Sequence, residues 1–325
     1  MNDKYNDHLK QLHDHLVTPH EVIQTVVKEA TGKSFKEKRK IIAGESNEVY
    51  EVTFDDNDSV IVRISRNGNS VFFREKWAIT QAHLLHIPVP HILLIKDFFF
   101  DETTYSFCIQ ERVAGDPLER GDVDYHQLDK GELQQLMNQA GVILSRIHQI
   151  PTEGYGYIDE NGKGEFTTWK ELLSEHFSQE DTYMNLANDT GLGLVHMKSI
   201  FKILREESQN DYRVRPVLNH NDFGPKHIMA KDKTVTGIID WGEAASNSPI
   251  YDFLAYSFWY TDIPLEWIKE GYENKTLFDN EFDRILQILS LNKVLGTLWW
   301  YHDRKYQYGI DLVIPRILTT LENLR

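Results

Sequence analysis

The sequence predicts an α+β fold in two lobes: a five-stranded antiparallel sheet with a helix, then a mostly helical lobe. Three observations lead there. Apolar residues recur at helical spacing up to Thr31, and the period then switches to strand-like runs from about Lys40. Five such runs, interrupted by one helical stretch, precede Gly115. Beyond it the pattern returns to helices, broken by a loop and a short apolar strand that carry His220, Asp222, His227 and Asp240.

The first 35 residues read as helical. Thr18-Pro19-His20-Glu21 has the form of a capping box with Pro at the first helical position, and Val22, Ile23, Val26, Val27 and Ala30 supply an apolar face. His8, His13 and His15 lack the cysteines or ordered carboxylates of a metal site and read as a solvated face. Residues 41–43, 49–54 and 60–64 then read as strands, with Asp55-Asp56-Asn57-Asp58 as a hairpin turn and 44–47 as the preceding connection. A helix follows over 71–85, ended by the prolines at 88 and 90. Strands over 92–100 and 105–110 complete the sheet, and Gly115 permits a bend after the linker Glu111-Arg112-Val113-Ala114. The expected division is 1–113 and 114–325.

In the second lobe an amphipathic helix is expected over 132–150, and the glycine-rich segment 154–169 is too irregular for one. Further helices are expected over 169–177, 192–207, from 251, and over 263–270, 279–308 and 315–325. Phe258, Trp259, Trp299, Trp300, Tyr301 and Asp303 are either ordinary core or the lining of a ligand cleft.

Composition narrows the chemistry. A 325-residue chain with 41% hydrophobic residues suffices for two cores, and no apolar run reaches the length of a membrane span. A single cysteine, Cys108, permits no intramolecular disulfide and lies in an apolar run, which suits a buried inert thiol and a reducing cytoplasm. The net charge of −15 disfavours nucleic acid as a partner and suits a cationic small molecule.

The chemistry-bearing stretch is NHNDFGPKH at 219–227, followed by VTGIIDWGEA at 235–244. A lone Asp at a strand end is ordinarily a turn former or cap, and a lone His a structural residue. The ordered set H-x-D-x-x-x-x-H, an apolar strand ending in I-D-W-G-E-A, and Asp252 in Tyr-Asp-Phe is far harder to obtain as loop punctuation. Two carboxylates and an imidazole delivered from a loop and a strand end are what phosphoryl transfer needs: one group to position a hydroxyl, others to hold a cation against phosphates.

On these motifs the chain resembles the aminoglycoside phosphotransferase family, antibiotic kinases with a protein-kinase-like bilobal fold, and its pattern is nearest the hygromycin and macrolide phosphotransferases. The resemblance implies that Asp222 is the catalytic Asp, that His220 braces its loop, and that Asp240 and His227 hold Mg²⁺. The family more often has Asn at the position of His227. Asp252 corresponds to the structural Asp that orients the catalytic loop. Gly44 and Ser46 fall in the loop over the nucleotide phosphates, and Arg63, paired with Glu75, stands where kinases place a phosphate-binding Lys. The backbone of Glu111 and Val113 corresponds to the purine-binding hinge. The implied cofactors are Mg²⁺ with ATP or GTP, and the implied partner is a small, cationic hydroxyl acceptor: an aminoglycoside, hygromycin-like or macrolide antibiotic inactivated by the transfer. Two other readings stay open. One is a kinase of a metabolite such as choline, homoserine or a sugar; the other is an inactive nucleotide-binding pseudokinase.

Overall fold

The computed structural model describes residues 3–42, 44, 47–119, 124–210 and 215–324. Two helices open the chain, α1 (Asp3–Asp14) and α2 (His20–Thr31). Val22, Ile23, Val26 and Val27 share one face of α2 and are buried, each burial stabilising by roughly 1.5–3 kcal/mol. Gly32, at φ 74°, ends the helix by donating its N–H to the Lys28 carbonyl.

The expected Thr18 capping box does not form. Thr18 instead donates its N–H (2.9 Å) and its hydroxyl (2.7 Å) to Glu48, a fully buried carboxylate that also takes Arg66 Nη2 at 3.0 Å. Satisfying a buried charge outweighs an exposed cap of about 1 kcal/mol. His13 also departs from expectation: it is buried, and its Nε2 donates to the Gly44 carbonyl at 2.9 Å. That bond ties α1 to the loop ahead of the second strand. His15 is exposed as expected, and the His8 side chain lies outside the described residues.

The sheet has strands β1 (Glu37–Ile41), β2 (Glu48–Thr53) and β3 (Ser59–Ser65), then helix α3 (Ser70–Leu84), then β4 (Ile92–Phe100) and β5 (Thr103–Glu111). Its order is β1-β2-β3-β5-β4, antiparallel throughout, with Arg63 opposite Cys108. Cys108 is fully buried, which pushes its thiol up to about 12. Residues of α2 and the sheet make one apolar cluster. The apolar residues Ala78, Ile79 and Ala82 of α3 join a second, larger cluster with the helical part of the chain. Helix α3 therefore faces both ways: Glu75 toward the sheet's Arg63, the apolar residues toward the larger core.

After the sheet come β6 (Asp116–Pro117), α4 (Lys130–Ile147), the hairpin β7 (Tyr155–Ile158) and β8 (Gly164–Phe166), and helices α5 (Trp169–Leu173), α6 (Glu180–Asp189) and α7 (Leu194–Glu207). The segment read as irregular thus contains a hairpin; glycines at positive φ (Gly154 at 73°, Gly156 at 87°) make it possible. Short strands β9 (Val217–Asn219), β10 (Ile228–Lys231), β11 (Thr234–Ile238) and β12 (Ala245–Asn247) surround the loop motifs, and helices α8 (Leu254–Phe258), α9 (Leu265–Gly271), α10 (Phe282–Asp303) and α11 (Gln307–Asn323) complete the chain. The long helix expected to 308 ends at Asp303, and Pro315 lies inside α11 rather than at its start. Pro315 is on the exposed face, where water can serve the carbonyl that its missing N–H leaves free. Among the described residues no helix is long and apolar enough to cross a membrane.

Candidate active site

The motif residues meet where β9 and β11 end. His220 is fully buried, donating Nε2–H to the Ile239 carbonyl at 2.9 Å and lying against the Trp241 ring. Burial, then the neighbouring His227, lower its pKa and keep the ring neutral. Asn221 follows at φ 65°, a left-handed conformation that Asn tolerates better than most residues. This turn is held from two sides. The carboxylate of Asp252 accepts the backbone N–H of His220 at 2.9 Å and of Asn221 at 2.6 Å, and is itself set by His148 Nε2 at 3.0 Å. On the other side Lys293, from α10, donates to the Asn221 carbonyl at 2.7 Å and to its Oδ1 at 2.8 Å. The loop therefore leaves β9 in one conformation, with the next side chain, Asp222, projecting.

Asp222 is one-third exposed and carries Lys226 Nζ on its Oδ2 at 2.8 Å. Withdrawal from water raises its pKa, but Lys226 and His227 outweigh that and hold the carboxyl well below the usual range. Gly224 is required beside it, because a Cβ there would sit 2.4 Å from Cε2 of Tyr260. Tyr260 in turn donates to Glu119 at 2.8 Å.

Asp240 ends the strand at φ 62°, ψ 65°. Its Oδ1 takes Arg63 Nη2 at 2.8 Å, while Arg63 Nη1 meets both oxygens of Glu75 at 2.5 Å. Glu75 Oε1 also accepts the N–H of Trp241 at 3.1 Å, so α3, β3 and the Asp240 turn are joined through one guanidinium. Burial alone would lower Arg63; Glu75 and Asp240 more than offset it and raise its pKa. Asp240, despite a burial penalty, is held far down, chiefly by Arg63.

His227 stands between the two carboxylates. Its Nδ1 is 2.9 Å from the Asp222 carbonyl, which can only accept, so Nδ1 carries the proton. In the neutral ring Nε2 then keeps a lone pair, and it lies 3.4 Å from Asp240 Oδ2. Two lone-pair donors at that separation repel unless a cation or proton lies between them. The donor set therefore fits a divalent cation taken by Nε2 and a carboxylate oxygen. Among the described residues no three or more His, Cys, Asp or Glu converge on one point. A cation here would take its remaining ligands from phosphate and water, which is the habit of Mg²⁺.

The linker residues lie alongside. Glu111 donates its N–H to the His91 carbonyl at 2.9 Å, and Val113 packs on Gly237 of β11, where a Cβ would fall 2.7 Å from Val113 Cγ1. Gly115, at φ 87°, admits no side chain, since a Cβ would meet the Ala230 carbonyl at 2.2 Å. Gly44 accepts from His13 as described, and Ser46 lies outside the described residues.

The phosphotransferase enzyme family matches residues 38–283, most of the chain and all of these motifs. The chain belongs to that family. Hygromycin-B 4-O-kinase of Escherichia coli is 23% identical over 192 residues, 58% of this chain and 52% of that protein; the chain thus matches about half the length of this curated relative. Solved phosphotransferase structures share the fold. A thermostable mutant of aminoglycoside phosphotransferase APH(4)-Ia in ternary complex with ADP and hygromycin B superposes with TM-score 0.74 at 18% identity, covering 92% of this chain and 98% of that one. A putative fructosamine-3-kinase from Haemophilus somnus gives TM-score 0.61 at 18% identity, covering 92% and 96%.

Within this family member, two residues escaped sequence reasoning. Lys226 sits four residues after Asp222 and carried only a turn-like signal. Lys293 is 72 residues away from Asn221 in sequence and reads simply as a polar position on a helix. The aromatics divide: Phe258 is core at 2% exposure, and Trp299, at 44%, faces solvent.

Proposed function

We propose that the chain transfers the γ-phosphoryl group of ATP or GTP to a hydroxyl of a small cationic molecule, in the first instance an aminoglycoside or hygromycin-like antibiotic. The observation that carries this reading is His227 set between Asp222 and Asp240, with the Arg63–Glu75 pair against Asp240. In the reaction the acceptor oxygen bonds to the γ-phosphorus as the bond to the β,γ-bridging oxygen breaks. Asp222 accepts the hydroxyl's hydrogen bond and takes its proton late, orientation mattering more than basicity in a loose transition state. Lys226 must yield its place on Asp222 to the incoming hydroxyl, which leaves its ammonium near the transferred group. Asp240 and His227 would hold Mg²⁺, which when bound neutralises phosphate charge. Arg63, fixed by Glu75, stands ready to exchange Asp240 for a phosphate oxygen. The backbones of Gly44 and Ser46 would cover the phosphates, and those of Glu111 and Val113 would meet the purine at a hinge dividing lobes at 113/114. His220 and Asp252 hold the loop.

A cationic acceptor is supported by carboxylates around this loop. Glu119 lies on Tyr260, and Glu243 accepts from Tyr157 at 2.8 Å. The net charge of −15 would steer the same molecule inward. A sugar-amine metabolite is the second reading, favoured by the likeness to putative fructosamine-3-kinases. The test is acceptor-dependent release of nucleoside diphosphate with Mg²⁺ and ATP or GTP, over aminoglycosides, hygromycin, macrolides and metabolite alcohols. A rate well above background with one class assigns the acceptor. Nucleotide binding with no acceptor-dependent rate would make the chain a binding module.

Two substitutions probe the site more finely. His227→Asn is expected to keep most of the activity, because its amide oxygen can replace the imidazole on the cation, whereas His227→Ala is expected to lose at least about tenfold. Equal rates for all three proteins would dismiss His227 as a ligand. Lys226→Ala removes the strongest partner that holds Asp222 down, so its carboxyl should rise. Asp222 works ionised, and the acid limb of the kcat/KM profile should therefore move to higher pH. An unmoved limb would separate that limb from Asp222.

A further inference from the structure

We propose, resting on the reading of Asp240 and His227 as cation ligands, that Arg74 of α3 is a positioning residue for Asp240. It fixes the turn that carries this carboxylate and so sets how much Mg²⁺ nucleotide binding requires. Arg74 neighbours Glu75 in sequence but turns to other partners. It donates Nε–H to the Ile158 carbonyl, at the end of β7, at 2.8 Å, and Nη1–H to the Gly242 carbonyl at 3.2 Å. Its guanidinium lies 4.8 Å from the centre of the Tyr157 ring. Among the described residues no carboxylate forms an ion pair with it. A half-buried cation spent on two carbonyls and a ring serves geometry rather than charge pairing.

The Gly242 peptide matters because of what it touches. A Cβ on Gly242 would fall 3.7 Å from Asp240 Oδ1 and 3.8 Å from Arg63 Nη2, so this residue lies directly against the Asp240–Arg63 pair. Asp240 sits at φ 62°, ψ 65°, a backbone state that a residue with a side chain keeps only where its surroundings fix it. Other bonds of the turn run from the Trp241 indole to the Ile238 carbonyl at 3.1 Å, from the Ala244 N–H to the Trp241 carbonyl at 3.0 Å, and from the Trp241 N–H to Glu75. None of them holds the Gly242 carbonyl. When a phosphate oxygen draws Arg63 away from Asp240, Arg74 and Glu75 are what still grip the turn from α3.

Seating α3 does not need Arg74. Trp77 packs so closely on Gly162 that a Cβ there would meet its Cζ2 at 2.1 Å, Glu75 holds Arg63, and Ala78, Ile79 and Ala82 are buried in the larger core. Losing the Arg74 head should therefore leave the helix in place and free only the turn. Charge and position then predict opposite signs. Removing a cation near the site favours a bound metal ion, whereas loosening the support of its ligand weakens it by about 10–100-fold.

The test is calorimetric titration of ADP, first with chelator and no metal, then over a series of Mg²⁺ concentrations. Arg74→Met, which keeps the stem, should need at least about tenfold more Mg²⁺ than the parent to tighten ADP, with metal-free ADP affinity within a few-fold of the parent's. Arg74→Lys keeps the charge but serves one carbonyl at a time, and it should fall between the two; it carries the test should the Met variant not fold. An unchanged Mg²⁺ requirement in both variants would overturn the proposal. So would a lower requirement in Arg74→Met, which would make the effect one of charge, or a parallel loss of metal-free binding, which would make it general damage. A parent that binds no ADP, or binds it without regard to Mg²⁺, would instead fail the cation reading of Asp240 and His227, and the role of Arg74 with it.

Discussion

Asp222→Asn is expected to lower acceptor-dependent turnover by about 10²–10⁴-fold while the protein melts at its usual temperature. The amide has the shape of the carboxylate and no capacity to take the acceptor's proton. The fold should not notice: Asp222 is one-third exposed, and Lys226, its ion-pair partner at 2.8 Å, is itself 31% exposed. The loop's conformation depends instead on Asp252 and Lys293, which the substitution does not touch. Nucleotide KM should stay within a few-fold, because the proposed phosphate and purine contacts lie on other elements. Measuring diphosphate release with and without acceptor separates the effects. More than about a tenth of the parent rate would remove Asp222 from the proton-accepting role.

Arg63→Met is expected to strike stability as well as activity. Glu75 is fully buried, and Arg63 is the cation on both of its oxygens. Removing one partner of a buried pair leaves an uncompensated charge and destabilises by about 3–5 kcal/mol. The pH dependence carries a sign. Burial already pushes the Glu75 carboxyl up against the pull of Arg63. Without that pull its folded pKa rises further above the unfolded value, so the folded variant binds the extra proton. Its stability then falls as pH rises toward the folded pKa, and the loss relative to the parent should be smaller near pH 5 than near pH 8. Denaturant melts at the two values check this. An equal loss at both would mean that packing, rather than charge, is what Arg63 supplies.

Four strands were legible because they alternate or run apolar between clear turn signals, and β4 matches its expected limits of 92–100; the first, expected over 41–43, lies at Glu37–Ile41, a mostly polar edge strand that shows no such pattern. The candidate site was legible because its groups cluster in two short stretches with fixed spacing. What was missed depends on distance or context. Lys293 reaches Asn221 from another helix, and His13 reaches Gly44 from a helix that looked solvated. Helix α6 is a polar decapeptide, Glu180–Asp189, whose stability comes from tertiary packing of Tyr183, Leu186 and Ala187 rather than from a pronounced pattern. The sequence pattern places Pro315 at a helix start, and its solvent-facing placement is what makes the interior position tolerable.

Cys108 has a practical consequence. It is the single thiol in the chain, sealed in the middle of the sheet opposite Arg63, and its high pKa leaves almost no thiolate. A thiol reagent can reach it only when the sheet face that carries Arg63 and meets Glu75 is uncovered. The rate at which intact protein becomes labelled therefore counts opening events at the five-stranded sheet, with no engineered reporter and no background from a second site. Slower labelling when nucleotide is added would show the ligand holding that sheet closed, and would do so without any acceptor being known.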